Sequence, residues 1–472
     1  MYFLYSFALG LLFLILLPHF LYQAFRHGKY AGSFKQRLGW LPEAARADGR
    51  RTIWLHAVSV GEFLAARPLI KQIKVCWPES RLVVSTTTLT GQRLAQSQPH
   101  LLDAIFYFPF DWKFAVRRAI NWVRPSAVII LETELWPNFL RECRGSGVVT
   151  ILANGRISRR SFDRYRLLGP LIKAVIHDLS FMVMQSEADA QRARELGSQA
   201  DRVLICGNLK YDVLGVGGWG MGASERTDAN PQPPIPNPYQ EIDRRFGLSL
   251  SSRLIVAGST SNGEEEILLA VLREVRRESG LQDTRLLIAP RHPERFEEVA
   301  SLISGSGFTF ARRSQLSAST VGEVSASRAA VAVEPSSSED VLLLDSIGEL
   351  ASVYRFAAVV FVGGSLVPRG GHNIIEPAAF AKPIVVGPYT DNFREIVSDF
   401  KRAHALVQIT PSEAAIVKML AGEFASLLSD EERARAIGER AREFLLANRG
   451  ATACTIEAIK KLLDQPVCES SA

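Results

Sequence analysis

VVFVGGSLVPRGGHNIIEPAAFAKPIVVGP, residues 359–388, is the stretch whose reading decides the fold class. It opens with an apolar, β-branched run, Val359 to Val362, short enough for one buried strand. A glycine-rich segment follows, with Gly363-Gly364 and Gly370-Gly371 flanking Pro368 and Arg369, and His372 next in line. A short helix is expected from Asn373, and Lys382-Pro383 leads into a second apolar strand, Ile384 to Val386. Strand, glycine loop, helix and strand form a unit that aims backbone N–H groups and a helix N-terminus at one point. Such a point suits an anion, above all a phosphate. Glycine-rich turns of this kind are also common in α/β proteins that bind no phosphate there.

Working outward, the rest of the chain repeats the rhythm. From Thr52, TIWLHAVS, RLVVSTTT, PSAVIILET, VVTILA, FMVMQS and RVLICG alternate with amphipathic helical segments. Apolar strands without strict alternation predict a parallel sheet covered on both faces. A first Rossmann-like domain is thus expected over 52–212, a Gly/Pro-rich linker over 213–240, and a second such domain over 241–428. Helices are expected over 429–472. The Ser/Ala-rich insert at 314–338 has no assignable role. The fold class is α/β, two Rossmann-like domains that would face a ligand cleft at the carboxyl ends of their strands. Many nucleotide-sugar glycosyltransferases have this architecture. A chain of 472 residues is long enough for two such cores.

Residues 1–25 carry no Asp, Glu, Lys or Arg, and roughly 20 apolar residues suffice to span a bilayer as a helix. They predict a transmembrane anchor. The segment 26–51 holds seven Lys/Arg against Glu43 and Asp48, a local +5 that accounts for most of the net +6. A basic segment after an apolar span places the body on the cytoplasmic side, and the near-neutral remainder gives no sign of a nucleic-acid partner. A cleaved signal peptide lacks its basic n-region and cleavage site. The five cysteines form no C-x-x-C pair, which argues against a disulfide framework and for a reducing compartment.

Several polar residues stand at strand ends. Glu62 follows the first strand of the body in HAVSVGE. It fits equally a first-turn acid complementing a helix dipole and a general base. Glu132 and Glu134 end another strand in LETELWPN, and Lys210 follows RVLICG in GNLKYD. In the second half, Pro290-Arg291 could hold a phosphate. Ile347, Gly348 and Glu349 could read a base edge from DSIGEL, and Glu376 would suit a ribose diol. No D-x-D and no histidine pair of metal-ligand spacing occurs, so no metal or other cofactor is indicated and a donor with a single phosphate is favoured.

HAVSVGE, LETELWPN, NGRIS, GNLKYD, PRHPERF, GGSLVPRGGHNIIEPAA and PIVVGP, in this order, resemble the family of 3-deoxy-D-manno-octulosonic acid (Kdo) transferases. The resemblance covers nearly the whole chain. It implies a GT-B fold and transfer of Kdo from CMP-Kdo to a lipid A precursor (lipid IVA) of lipopolysaccharide, with inversion, without metal, at the bacterial inner membrane. By it, Glu62 is the catalytic base, and Glu132 and Lys210 stabilise the transition state. Pro290, Arg291, Ile347, Gly348, Glu349, Asn373, Ile374, Ile375 and Glu376 contact CMP. Two other readings are another inverting GT-B transferase with a different nucleotide sugar and a membrane-tethered GT-B binding protein without catalysis.

Overall fold

The computed structural model describes residues 1–27, 31–98, 100–216, 246, 248–315, 339–410 and 415–464; at 12, 16–27, 31–32 and 213–216 only the backbone is described. The expected linker from 217 onward and the insert from 316 to 338 lie outside these residues. The chain divides into two units, residues 1–221 with 448–472, and residues 222–447.

The first unit is built on a seven-stranded parallel sheet. Its strands are β1 (Thr52–His56), β2 (Arg81–Thr86), β3 (Ala104–Tyr107), β4 (Ala127–Leu131), β5 (Val149–Gly155), β6 (Phe181–Met184) and β7 (Val203–Ile205), in spatial order 3-2-1-4-5-6-7. Every residue of β1, β2 and β4 is buried. Alternate side chains feed two cores: Trp54, Val83 and Val128 pack into one, Ile53, Leu55 and Ile129 into the other. That double burial is why these strands read as continuous apolar runs. The strand order reverses between β1 and β4, so the loops leaving their carboxyl ends diverge and open a crevice.

The second unit repeats the plan with β8 (Leu254–Thr260), β9 (Arg285–Pro290), β10 (Phe310–Arg312), β11 (Val341–Leu343), β12 (Val359–Val362), β13 (Ile384–Val386) and β14 (Val407–Gln408). The order is 10-11-9-8-12-13-14, again parallel, with the reversal between β8 and β12. Two parallel-sheet α/β units of this kind resemble the GT-B glycosyltransferases.

The helices expected over 429–472 divide between the units. The helix Glu431–Ala447 stays with the second, and its Gly438 lies so close to Ala381 that a Cβ would meet that carbonyl oxygen at 1.9 Å. The helix Ala451–Leu463 returns to the first, where Ile456, Ile459 and Leu463 cover the face formed by Ile53 and Leu55. Its N-cap is Gly450, which has no side chain to offer the free amides. Asp212 serves instead, accepting the N–H groups of Gly450 at 2.8 Å and Thr452 at 2.6 Å. The same return brings Cys454 to Cys206, and the two form a disulfide with Cα atoms 5.5 Å apart. This corrects the expectation from cysteine spacing, which cannot see partners 248 residues apart.

The transmembrane anchor expected over 1–25 is not supported. Among the described residues no helix is long and apolar enough to cross a membrane. Tyr2–His27 is helical, but one side of its first turns is tied to the first unit. Tyr2 donates its hydroxyl to Asp178, Tyr5 donates to Asp111 at 3.0 Å, and Ser6 bonds Asn138 at 3.2 Å. The other side, with Phe3, Leu4, Phe7, Leu11, Leu14 and Ile15, is exposed. The polar ties use uncharged residues, so a charge-free composition conceals them.

Replacing Asp212 by Ala leaves two helix-end amides without an acceptor, which should lower stability by about 1–2 kcal/mol. The measurement is urea unfolding with hydrogen exchange across residues 451–463; an unchanged midpoint and unchanged protection would refute the tie.

Candidate functional site

In the first unit, β1 ends at His56 and the chain turns through Val58 and Ser59 into the helix Val60–Cys76. Ser59 is the N-cap, its Oγ accepting the Glu62 N–H at 3.3 Å. The Glu62 carboxylate folds back on the same turn: Oε2 accepts the Val58 N–H at 2.7 Å and Oε1 the Ser59 hydroxyl at 2.9 Å. This is close to a capping box, so the stabilising reading of Glu62 is realised. The side chain has a second property. Burial, then the neighbouring Glu132 carboxylate, push its pKa up to about 7, against the pull of those two hydrogen bonds. A carboxyl at that value exchanges a proton readily near neutrality.

Glu132 lies one residue beyond β4, the neighbour of β1, with φ at 54°. This is the left-handed region, which a non-glycine residue occupies under strain, and such strain concentrates at functional sites. Its Oε1 is 3.2 Å from Lys210 Nζ, and about a quarter of each side chain is exposed. Glu134 is raised too, by burial and then by Glu132. Glu62, Glu132 and Lys210 therefore come together at the strand-order reversal, although they are far apart in sequence.

Asn154 was missed by sequence reasoning except as part of NGRIS. It sits near the end of β5, buried, with φ at 55°. Its Oδ1 accepts the Leu209 N–H at 2.9 Å, while Lys210 N–H is held by Asn208 Oδ1 at 3.0 Å. Asn154 thereby fixes the backbone that carries Lys210. An asparagine before a glycine at a strand end is the available signal, since Asn tolerates the left-handed region and offers an acceptor.

In the second unit, Pro290 ends β9 and Arg291 is exposed, its N–H bonded to Thr260 O at 3.0 Å. Arg291 lies near His372 and Glu376. Burial lowers the His372 pKa to about 4, with the Arg291 charge contributing; burial raises that of Glu376 while Asn373 and Arg291 oppose it. Asn373 ties this group together: Nδ2 donates to Glu376 Oε1 at 3.2 Å, and Oδ1 accepts the Ile375 N–H at 3.0 Å. Ile374 and Ile375 have buried side chains, so only their backbone could face a ligand. Glu349 accepts from Arg313 at 2.8 Å and from Ser346. Ile347 is 80 % exposed and Gly348 has φ at 89°.

The anion cradle expected in 359–388 is different in kind. The helix there is Ile375–Ala379, barely more than one turn, too short to carry a useful dipole. The amides of the first glycine turn are already taken. Glu264 Oε1 accepts from Ser365 at 3.0 Å and Leu366 at 2.8 Å, and Oε2 from Gly364 at 2.7 Å and Ser261 at 2.9 Å. The nest is real, but its anion is part of the chain.

A family model described as 3-deoxy-D-manno-octulosonic-acid transferase (kdotransferase) matches residues 32–213. The 3-deoxy-D-manno-octulosonic acid transferase of Haemophilus influenzae is 31 % identical over 442 residues, which is 93 % of each chain. The chain belongs to the Kdo transferase family. It is therefore a glycosyltransferase. The Bordetella pertussis Kdo transferase is 29 % identical, with 90 % of this chain and 91 % of the relative covered. Among solved structures, a UDP-GlcNAc 2-epimerase from Neisseria meningitidis covers 87 % of this Kdo transferase and all of its own chain, with a TM-score of 0.53 and 11 % identity. That likeness concerns the fold alone.

Asn154→Ala should reduce Kdo transfer about tenfold, because the lost acceptor frees the Leu209 amide and the Lys210 segment with it. Alanine at a left-handed position also lowers stability, by about 1–2 kcal/mol. Activity and thermal unfolding measured together check both, and wild-type turnover would exclude the positioning role.

Proposed function

We propose that this Kdo transferase moves Kdo from CMP-Kdo to a hydroxyl of a lipid A precursor in lipopolysaccharide synthesis, with inversion and with Glu62 as general base. The observation that carries the reading is the Glu62 carboxyl, raised to about 7 beside the Glu132–Lys210 pair. As the acceptor oxygen forms its bond to the anomeric carbon, Glu62 takes its proton. The bond from that carbon to the phosphate oxygen breaks, and CMP leaves as an anion. The transition state has oxocarbenium character. Glu132 supplies negative charge near the developing cation, and Lys210 holds Glu132 in place. On the donor side, Arg291 is the cation suited to the departing phosphate, and Glu376 with Asn373 suits the nucleoside hydroxyls. None of these steps calls on a metal.

The acceptor is a lipid, and the first unit has a surface suited to a membrane interface. Between Phe3 and Ile15 the exposed apolar residues recur at three- and four-residue spacing, a pattern that suits a helix face lying in a membrane interface. Exposed Phe34, Trp40 and Phe114 accompany Arg117 and Arg118, the latter stacked 4.1 Å over Trp40. Aromatic and basic side chains together favour the headgroup region of an anionic leaflet. Flotation with anionic vesicles should retain the wild-type protein and lose much of the Phe7→Asp/Leu11→Asp double variant. Equal flotation would remove this surface from the account.

The central test is incubation of the purified protein with CMP-Kdo and a tetraacylated lipid A precursor, with product masses read. Glu62→Gln preserves an acceptor for the Val58 amide and should reduce kcat by about 10²–10⁴ with CMP binding and melting temperature nearly unchanged. The base must be ionised, so kcat/KM should rise through pH 7 and level off above it. A variant that keeps wild-type turnover, or keeps the same acidic limb, would exclude Glu62 as the base.

A further inference from the structure

We infer that Glu264 is a positioning residue of the donor half-site, a built-in anion that sets the glycine turn before any donor arrives. The inference rests on the reading of the second unit as the CMP-Kdo side. Glu264 opens the helix Glu264–Val275 directly after the loop that leaves β8, and Gly364 to Leu366 follow β12, the neighbouring strand across the reversal. Its carboxylate is fully buried, and its four donors are all backbone amides. The adjacent Glu265 differs: it is equally buried but has a cation, Arg295, at 2.7 Å. Burial pushes the Glu264 pKa up, and the amides of Gly364, Leu366 and Ser261 pull against it; because every one of its four contacts donates to the carboxylate oxygens, the arrangement suits the ionised form.

The consequence runs along the loop to the donor residues. Gly364, held by Glu264, accepts at its carbonyl the N–H of Gly371 at 2.8 Å. Gly371 lies two residues before Asn373, which organises Ile375 and Glu376. Both Gly364 and Gly371 are left-handed, with φ at 69° and 72°. Ser365, held through its N–H, accepts the Gly387 amide on its hydroxyl at 2.9 Å and the Tyr389 amide on its carbonyl at 2.9 Å. One carboxylate thus holds the exits of β8, β12 and β13 in register. It also means that the donor phosphate does not occupy the 364–366 nest; it is left to Arg291 and the segment beyond Gly371.

Amide hydrogen exchange on the wild-type enzyme, with and without CMP, tests the filled nest. The expected result is strong protection of Gly364 to Leu366 in the free protein, unchanged by CMP. Protection that arises only with CMP would overturn the proposal, since the nest would then be a ligand site. Steady-state transfer by Glu264→Gln tests the positioning role. The variant keeps the shape but turns an NH2 group against the amides, so the KM for CMP-Kdo should rise about tenfold with kcat within about threefold. Formate should restore part of the affinity in Glu264→Ala, where the nest is vacated. An unchanged KM in a folded Glu264→Gln protein would overturn the role. Failure of the wild-type enzyme itself to use CMP-Kdo would instead overturn the donor reading, and the exchange result on free protein stands apart from both.

Discussion

A parallel sheet ends its strands with backbone groups pointing the same way, and each must find a partner where the chain turns away. The buried Glu264 carboxylate is how the second unit meets that constraint. It collects Ser261 from the exit of β8 and Gly364 to Leu366 from the exit of β12. Without it, four amides would lie buried and unpaired, each a loss of about 1–3 kcal/mol. The close approach this permits is visible at Gly363, where a Cβ would stand 2.4 Å from the Ser259 carbonyl oxygen. The glycines of the opening stretch are therefore explained first by chain packing, and only after that by ligand geometry.

Glu62 occupies the corresponding place in the first unit. Each glutamate lies in the first turn of the helix that follows the strand at the order reversal, β1 in one unit and β8 in the other. Their surroundings differ. Glu264 meets four amides, whereas Glu62 meets one amide and one hydroxyl and faces the like charge of Glu132. The first carboxylate is saturated with donors and serves as a fixed anion. The second retains an oxygen edge with proton affinity near neutrality. Burial raises the proton affinity of both carboxyls; what separates them is that Glu264 is fully enclosed by four opposing amides, whereas Glu62 is partly exposed beside Glu132 and is the candidate base.

Much of this architecture is legible in the sequence, for a physical reason. Strands buried on both faces must be largely apolar, so β1, β4, β9 and β12 stand out, and the polar residues just beyond them, such as Glu132 after β4 and Arg291 after β9, mark the carboxyl ends. What is not legible depends on contacts distant in sequence. The nest at 363–366 reads as an anion site, but only the fold shows that the anion is Glu264, a hundred residues earlier. The first helix reads as a membrane span because Tyr2, Tyr5 and Ser6 carry no charge; their partners Asp178, Asp111 and Asn138 lie elsewhere in the chain. The Cys206–Cys454 link and the Asp212 cap both depend on the last helix crossing back to the first sheet, which no local pattern encodes.

On the proposed mechanism, the ion pair beside Glu62 does more than stabilise the fold. A half-buried Lys–Glu pair contributes little to folding, and the strained backbone of Glu132 argues further against a purely structural purpose. Lys210 holds Glu132 near Glu62, and the Glu132 charge raises the proton affinity of Glu62. Burial alone would raise that affinity too, but would supply no negative charge toward a cationic centre. The pair supplies both effects from one place. On the proposed reading, a base strong enough to take a hydroxyl proton and a carboxylate that stabilises the oxocarbenium ion are two consequences of a single arrangement.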